Sequence, residues 1–389
     1  MLYLGIDLHR KQMTVCVRDA QGEILMQRQV STRPQKIEAF LQQMQVMAGD
    51  GYTALLEVCG FEEWLVLRLQ REDACRDVIL IQPEKPSKKK TDRRDAAALS
   101  ELLWVNRERL VGGQKVRGVR QVLFASDDDR QDRQLTASRR NLTDLRTKTL
   151  NRIHFVLRKN NLEWEYPTKT FQTKRGRAWL ASVELGETDR LEMDLLLQQW
   201  ELWDRQLEQL DARLEQRALR NVDARLLGTI IGMSYYMALA IACRISDVSR
   251  FPSPRSLANF FGLTPGSRSS GEKQCSTSIT KQGSRMVRFL LGQLVVHVLR
   301  RDGKMRAWYG RIKKRRGAKI ARVAVMRRLC VILWHMLKHR EAYRYGGPPQ
   351  RQRSDDPAAT CAVDIEAHRA SIRKELSGVS SCEEVARVS

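Results

Sequence analysis

Aromatic residues are scarce in this chain: Phe, Trp and Tyr together make up 6% of its 389 residues. A surface that stacks single-stranded bases draws heavily on such residues, so that binding mode is disfavoured. Eight cysteines are scattered along the sequence, with no C-x-x-C pair among them. This argues against a zinc site and, at this length, against a disulfide framework; the thiols read as reduced, in a cytosolic protein. No uncharged apolar run approaches membrane-spanning length, and Met1 leads straight into strand-like sequence without a basic-then-apolar leader. The expectation is therefore a cytoplasmic protein with no membrane partner. There is no P-loop, dinucleotide fingerprint, HExxH or Ser-His-Asp pattern either.

Acid is also in deficit. Against 69 Lys and Arg stand 45 Asp and Glu, a net charge of +24. A surplus of that size favours a polyanion, and nucleic acid is the usual one. The excess is uneven: Lys281 to Arg340 holds 18 bases and one acid, Asp302, a surplus of 17. From Ser354 to Ser389 the balance reverses, with seven acids, four bases and no aromatic. That tail reads as disordered or weakly ordered.

What is present begins as α/β sequence. Residues 2–7 form a short apolar run. Residues 12–19 alternate, with Met13, Val15 and Val17 on one face and Thr14, Cys16 and Arg18 on the other, which predicts a half-buried strand. A turn at 19–23, a returning strand over 24–30, a helix from Pro34 to Val46, a buried strand ending at Glu57, a helix over 62–72 and a strand over 77–83 follow. After a basic loop, Asp92 to Leu103 is a good helix former. The order β-β-β-α-β-α-β-loop-α predicts a mixed sheet. From about residue 130 long polar helices take over. Over 193–216, Met193, Leu196, Trp200, Trp203, Leu207, Leu210 and Leu214 step by three and four, a heptad seam. It suits a coiled-coil spacer or dimer arm, or equally a helix packed in its own domain or hairpinned with 135–160. Residues 226–245 predict helix, glycine turn, helix, either a phosphate-facing helix-hairpin-helix or an ordinary αα-hairpin. The remainder reads as short helix, Gly/Pro/Ser loop, basic helix, and a last amphipathic helix over 319–343.

Four carboxylates stand out by position. Asp7 ends the first strand and Glu57 the fourth; Asp92 and Asp95 are i and i+3 of a helix start. Strand ends and a helix face can converge on one cleft. Clustered carboxylates repel unless cations fill the site, and two hard cations bridging a phosphate would stabilise both attacking and leaving oxygens. Lys88, Lys89, Lys90, Arg93 and Arg94 flank the aspartate pair as candidate phosphate holders. Asp127, Asp128 and Asp129 read as a solvated loop or helix start, and Glu62 and Glu63 as first-turn helix acids. His9, close to Asp7, reads as contacting a phosphate or nothing. A second cluster is PGSRSSGEK (265–273), where Ser267, Ser269 and Ser270 sit in a Gly/Ser loop. Lys281, Arg285 and Arg288, on the helix beginning nearby, could supply the anion-stabilising environment that a serine nucleophile needs.

GIDLHRKQMTVCV, LLEVCG, KKKTDRRDAAALSELL, RFPSPRSLANFFGLTPGSRSSGEK and SITKQGSRMVRFLL follow one another in an order that resembles the insertion-sequence "one-ten" family of DEDD transposases, over roughly residues 1–343. The resemblance implies an RNase H-like (RuvC-like) metal-ion domain over 1–128, a helical coiled-coil linker or dimerisation region over 129–220, a mostly helical transposase domain over 221–346, and a tail over 347–389 with no assigned role. It implies that Asp7, Glu57, Asp92 and Asp95 bind two Mg2+ ions and that Ser270, directly before Gly271, attacks a DNA phosphate to give a covalent phosphoserine link. It further implies active sites shared between protomers of a dimer or tetramer, donor and target DNA as substrates, a structured bridge RNA as guide, and a nucleoid-associated location. Three departures stand out: IIGMS where Pro-Gly is common, Val-Cys-Gly after Glu57, and Ser269 beside Ser270. Two rivals remain: a junction nuclease that uses the four acids with water as nucleophile, and a basic nucleic-acid-binding protein that is not an enzyme.

Overall fold

The structure, a computed structural model, describes residues 1–83, 92–270 and 273–343; for 92–94, 267–270 and 273–277 it describes the backbone. The chain forms two units, 1–125 and the remainder from Ser126.

The first unit runs β1 (Leu2–Leu8), β2 (Gln12–Arg18), β3 (Ile24–Ser31), α1 (Pro34–Met47), β4 (Tyr52–Glu57), α2 (Glu63–Leu69), β5 (Cys75–Pro83), α3 (Asp92–Val105), α4 (Arg107–Val111) and β6 (Val119–Val122). The strands form one sheet in the order β3-β2-β1-β4-β5-β6. β1, β2 and β3 form an antiparallel meander, β4 and β5 run parallel to β1, and β6 returns antiparallel on β5. This is the mixed sheet expected, with β6 and α4 added.

Alternation along the strands sorts side chains onto two faces. Leu4, Ile6, Met13, Val15, Ala54 and Leu56 pack with Phe40 and Leu41 of α1 and Leu65 of α2. On the other face Tyr3, Leu55, Ile79 and Ile81 pack with Leu99 and Leu103 of α3. β2 is not half-buried: Thr14 and Cys16 are fully buried along with Met13, Val15 and Val17. The correction has a clear cause, since α3 covers the Thr14–Cys16 face as well as β1.

The second unit contains α5 (Asp127–Lys159), α6 (Lys174–Ser182), α7 (Glu187–Arg220), α8 (Val222–Leu227), α9 (Tyr235–Ile245), α10 (Pro254–Phe260), β7 (Pro265–Ser270), β8 (Lys273–Ile279), α11 (Arg285–Arg301), α12 (Gly303–Arg316) and α13 (Ala318–His339). Ser126 caps α5 by accepting from Asp129 N, so Asp127–Asp129 form its first turn, where carboxylates complement the helix dipole. α5 and α7 form the hairpin alternative for the heptad seam. Arg139 makes a bidentate pair with Asp211 (2.8 and 3.1 Å), Trp203 Nε1 donates to Thr149 Oγ1 (3.2 Å), and Lys159 pairs with Asp189 (2.7 Å). Each rising number on α5 meets a falling one on α7, which fixes the antiparallel register. Met193, Leu196, Trp200 and Leu214 of the seam are buried. At the open end Arg217 pairs with the buried Asp132. α8 to α13 share a second core around Leu239, Leu291, Leu294, Leu329 and Leu333.

A turn over 228–234 joins α8 to α9. The N–H groups of Gly228, Thr229, Ile230 and Met233 are spent on Ala224, Leu226, Leu227 and Ile230 carbonyls. Gly232 has φ +79°, and a Cβ there would lie 2.2 Å from Cβ of His297 on α11. No helix among the described residues is long and apolar enough to cross a membrane.

Candidate active site

β1 and β4 run side by side in parallel, with Gly5 beside Leu55 and Ile6 beside Leu56. The next step places Asp7 beside Glu57, at the C-terminal ends of two adjacent strands about 4.8 Å apart. Both belong to the face that carries Tyr3, Gly5 and Leu55, the face covered by α3.

α3 reaches this face because Gly5 has no side chain. A Cβ on Gly5 would meet Ser100 N at 2.3 Å and Ala96 O at 2.4 Å, so helix backbone lies directly on the strand. Farther along, Ser100 Oγ accepts from Arg18 Nε (3.1 Å), and Trp104 Nε1 donates to Ala20 O (3.1 Å) with its indole over Gly22. Arg18 is the cross-strand partner of Tyr3. α3 therefore runs antiparallel to β1, and its first turn, with Asp92 and Asp95, stands at the strand ends that carry Asp7 and Glu57. Asp95 and Glu57 are half-buried. The Asp92 side chain lies outside the described residues, as do the side chains of Arg93 and Arg94 and all of Lys88, Lys89 and Lys90.

Local contacts position the acids. His9 Nε2 lies 3.1 Å from Asp7 Oδ2, so His9 engages the carboxylate, where the sequence suggested a phosphate or nothing. Thr14 is directly opposite Asp7 on β2. Its Oγ1 is buried and has no hydrogen-bond partner among the described residues. Glu62, expected as a first-turn acid, instead folds back on the loop after β4: Oε2 accepts from Gly60 N (2.6 Å) and Cys59 N (3.1 Å). Burial, with Glu62 close by, pushes the Cys59 thiol above its ordinary value. Among the described residues no three His, Cys, Asp or Glu groups are close enough to hold an ion. The donor set nonetheless suits a hard cation, because it is all carboxylate. The orphaned Thr14 hydroxyl beside Asp7 points the same way, since a hydrated ion would give it a partner.

Ser270 is not in a loop. It ends β7, paired in register with Lys273 of β8, and its side chain, like that of Ser269, lies outside the described residues. Ser267 pairs with Ser276 and Arg268 with Cys275, so the polar alternation forms a hairpin. The stem is anchored by close backbone crossings. Gly262 (φ +67°) and Gly283 (φ +89°) would place a Cβ 2.0 Å from Gln282 O and Phe260 O respectively, and Lys281 N donates to Gly262 O (3.1 Å). Arg288 Nη1 donates to Gly283 O (3.0 Å) and Phe261 O (3.1 Å). Burial, then the neighbouring Arg285, lowers the Arg288 pKa from its ordinary value. Arg288 thus clamps the hairpin base and is half-buried, whereas Lys281 and Arg285 are exposed. Lys281 precedes α11, whose N-cap is Ser284. Sequence reasoning missed the Arg288 clamp, the His9–Asp7 contact and the Gly5 crossing; only the glycines were visible signals.

Comparison with known proteins points to one family. Residues 4–161 match the DEDD transposase family model, described as Transposase, and residues 224–310 match the model described as Transposase IS116/IS110/IS902 family. The transposase for insertion sequence element IS1111A of Coxiella burnetii is 28% identical over 352 residues, covering 88% of this chain and 91% of that protein. A probable family 20 transposase of Pseudomonas aeruginosa is 27% identical over 364 residues, covering 88% of this chain and 98% of that protein. These matches make the chain a DEDD transposase, an enzyme class that cleaves and rejoins DNA, and a mixed sheet followed by a mostly helical region is consistent with that class. The chain belongs to the IS110/IS116 family and is the transposase of an insertion sequence of that family.

Proposed function

We propose that the chain recombines donor and target DNA through a serine nucleophile assisted by Mg2+, guided by a structured bridge RNA. Asp7, Glu57, Asp92 and Asp95 would hold two Mg2+ ions, which would supply charge stabilisation to the reacting phosphate. His9 orients the carboxylate of Asp7, and the Thr14 hydroxyl would partner a water of the ion's hydration shell. Ser270 Oγ loses its proton and bonds to phosphorus. The bond from phosphorus to one bridging oxygen breaks, and that oxygen leaves as a hydroxyl after taking a proton. The link is then reversed by a hydroxyl of the partner strand, which conserves the number of phosphodiester bonds. Acids of one copy and Ser270 of a second copy serve one phosphate, in a dimer or tetramer. Lys281 and Arg285, exposed beside the hairpin, hold the DNA backbone, with Lys88, Lys89, Lys90, Arg93 and Arg94 doing the same beside the acids. Arg288 holds the hairpin that carries Ser270.

The observation that carries this reading is the placement of Asp7 and Glu57 one residue past the last paired positions, Ile6 and Leu56, of adjacent parallel strands, at the end where α3 begins. Metal-dependent cleavage of a labelled element end is the test. Asp7→Ala, Glu57→Ala and Asp95→Ala each abolish cleavage by the full chain while DNA binding persists. Full cleavage in any one of them removes that residue from the site. Cleavage that survives Ser270→Ala, with no adduct in any variant, would instead favour a water-using nuclease.

A further inference from the structure

The second unit holds a cavity of about 1340 Å³ between α10, α12 and α13, and its lining includes Tyr343, where the described chain leaves off. The floor is apolar, with Ala258, Met305, Ala324, Val331 and Ile332. The rim carries Arg255, Arg311, Arg327 and Arg328, all exposed. Among the described residues none of these four has a carboxylate at ion-pair distance. Two acids also line the cavity. Asp302 is committed, accepting from Met305 N (2.9 Å) and Tyr343 Oη (3.1 Å). Glu341 Oε2 is buried and has no hydrogen-bond partner among the described residues.

We propose that the segment Asp355–Leu376 of the same chain seats in this groove. Between Ser354 and Ala367 lie four carboxylates, Asp355, Asp356, Asp364 and Glu366, and no Lys or Arg. They complement the four arginines of the rim. Cys361, Ile365, Ile372 and Leu376 are spaced by four, seven and four, which aligns them on one helical face, the pattern an apolar floor accepts. Reach is sufficient: the twelve residues from Tyr343 to Asp355 span up to roughly 40 Å when extended. Tethering also keeps the segment at an effective concentration on the order of millimolar. The unpaired Glu341 oxygen separates this occupant from nucleic acid. A peptide carries N–H donors that can meet it, whereas a phosphodiester backbone has none and would be repelled by it. The docking stands independently of the serine chemistry. It covers three arginines of the basic 281–340 segment, so it lowers the charge that segment presents to nucleic acid.

The test uses the full chain with Val331→Cys, in the floor, and native Cys361 in the segment. Mild oxidation followed by peptide mapping measures the disulfide between them; Lys148→Cys, exposed on α5, is the control. The Val331→Cys yield exceeds the control at least tenfold and is unchanged by dilution, as an intrachain link requires. Reversing Arg255, Arg311, Arg327 and Arg328 to Glu together lowers the yield to the control level. Adding Lys at Asp355, Asp356, Asp364 and Glu366 restores it, which also shows that the reversed protein still folds. Equal yields at the two positions, a link found only between chains, or indifference to charge reversal overturns the proposal. So does photocross-linking of a thiouridine oligonucleotide to Trp308 in the full chain with no excess Cys361 link, the result expected if nucleic acid fills the groove.

Discussion

Gly5→Ala tests whether α3 positions Asp95 by lying directly on β1. The added methyl would sit 2.3 Å from Ser100 N, 2.4 Å from Ala96 O and 2.9 Å from Ser100 Cα, all of it backbone that no rotamer change can move aside. Ordinary contact starts near 3.4 Å, so the helix must lift by about 1 Å. Overpacking of that kind costs roughly 1–3 kcal/mol. For a unit of this size that lowers Tm by about 4–15 °C. The activity loss is larger. Asp95 is one residue before Ala96, so it moves with the helix, while Asp7 and Glu57 stay on the sheet. A misplacement of ~1 Å within a reacting constellation costs on the order of 100-fold in rate. Strand cleavage should therefore fall about 100-fold at a temperature where circular dichroism shows the protein folded, with DNA affinity nearly unchanged. Gly49→Ala is the control, because nothing lies within 4 Å of its Cβ position. If Gly5→Ala melts with the parent and cleaves at the parent rate, the close crossing of α3 on β1 is wrong.

Other outcomes follow from the same contacts. Thr14→Val, which removes the orphaned hydroxyl beside Asp7 with little change in shape, should raise the Mg2+ concentration for half-maximal cleavage by about 10-fold, the usual scale for a group next to a ligand; an unchanged requirement would remove Thr14 from the site. Arg217→Met leaves Asp132 buried without its partner and should destabilise by about 3 kcal/mol, and Asp132→Asn in that background should recover part of the loss in a urea melt. Hydrogen bonds from Lys159 and then Asn160 hold the Asp189 carboxyl below its ordinary pKa. Its contribution is thus present above the ordinary carboxylate range and lost as pH falls through the lowered value. Acid unfolding of the second unit should become less steep in Asp189→Asn, and an unaltered acid limb would contradict this. Gly232→Ala collides with His297 and strains a positive φ; the double variant with His297→Ala should regain the steric part and leave the backbone part.

The sheet was legible because its strands carry the plainest signals: apolar runs of five to eight residues punctuated by Gly, Asp and Pro. The strand-end positions of Asp7 and Glu57 followed from them. What periodicity could not show was that α3 covers β2 as well as β1, so Thr14 and Cys16 read as solvent-facing although both are buried. β6 was missed because Val119–Val122 is only four residues of mixed polarity on a sheet edge. The serine segment read as a loop because Gly and Ser dominate it; its ladder rests on backbone pairing, to which composition is blind. The heptad seam was visible, but its partner was not, since the same spacing serves an intramolecular hairpin and a dimer. Within the chain, ion pairs of Arg139, Lys159 and Arg217 join α5 to α7. Arg288 read as an anion-holding base beside Lys281 and Arg285 because its carbonyl partners, Phe261 and Gly283, lie in two turns that sequence spacing does not bring together.

The central claim, a serine nucleophile dependent on the acids at the sheet's end, is tested most directly by trapping labelled element DNA on the full chain with Mg2+ under denaturing conditions and mapping the attached peptide. The account predicts an adduct on Ser270, absent in Ser270→Ala, retained in Ser269→Ala and lost in Glu57→Ala. An adduct mapped to Ser269, one that survives Ser270→Ala, or cleavage that proceeds with no adduct at all would contradict it.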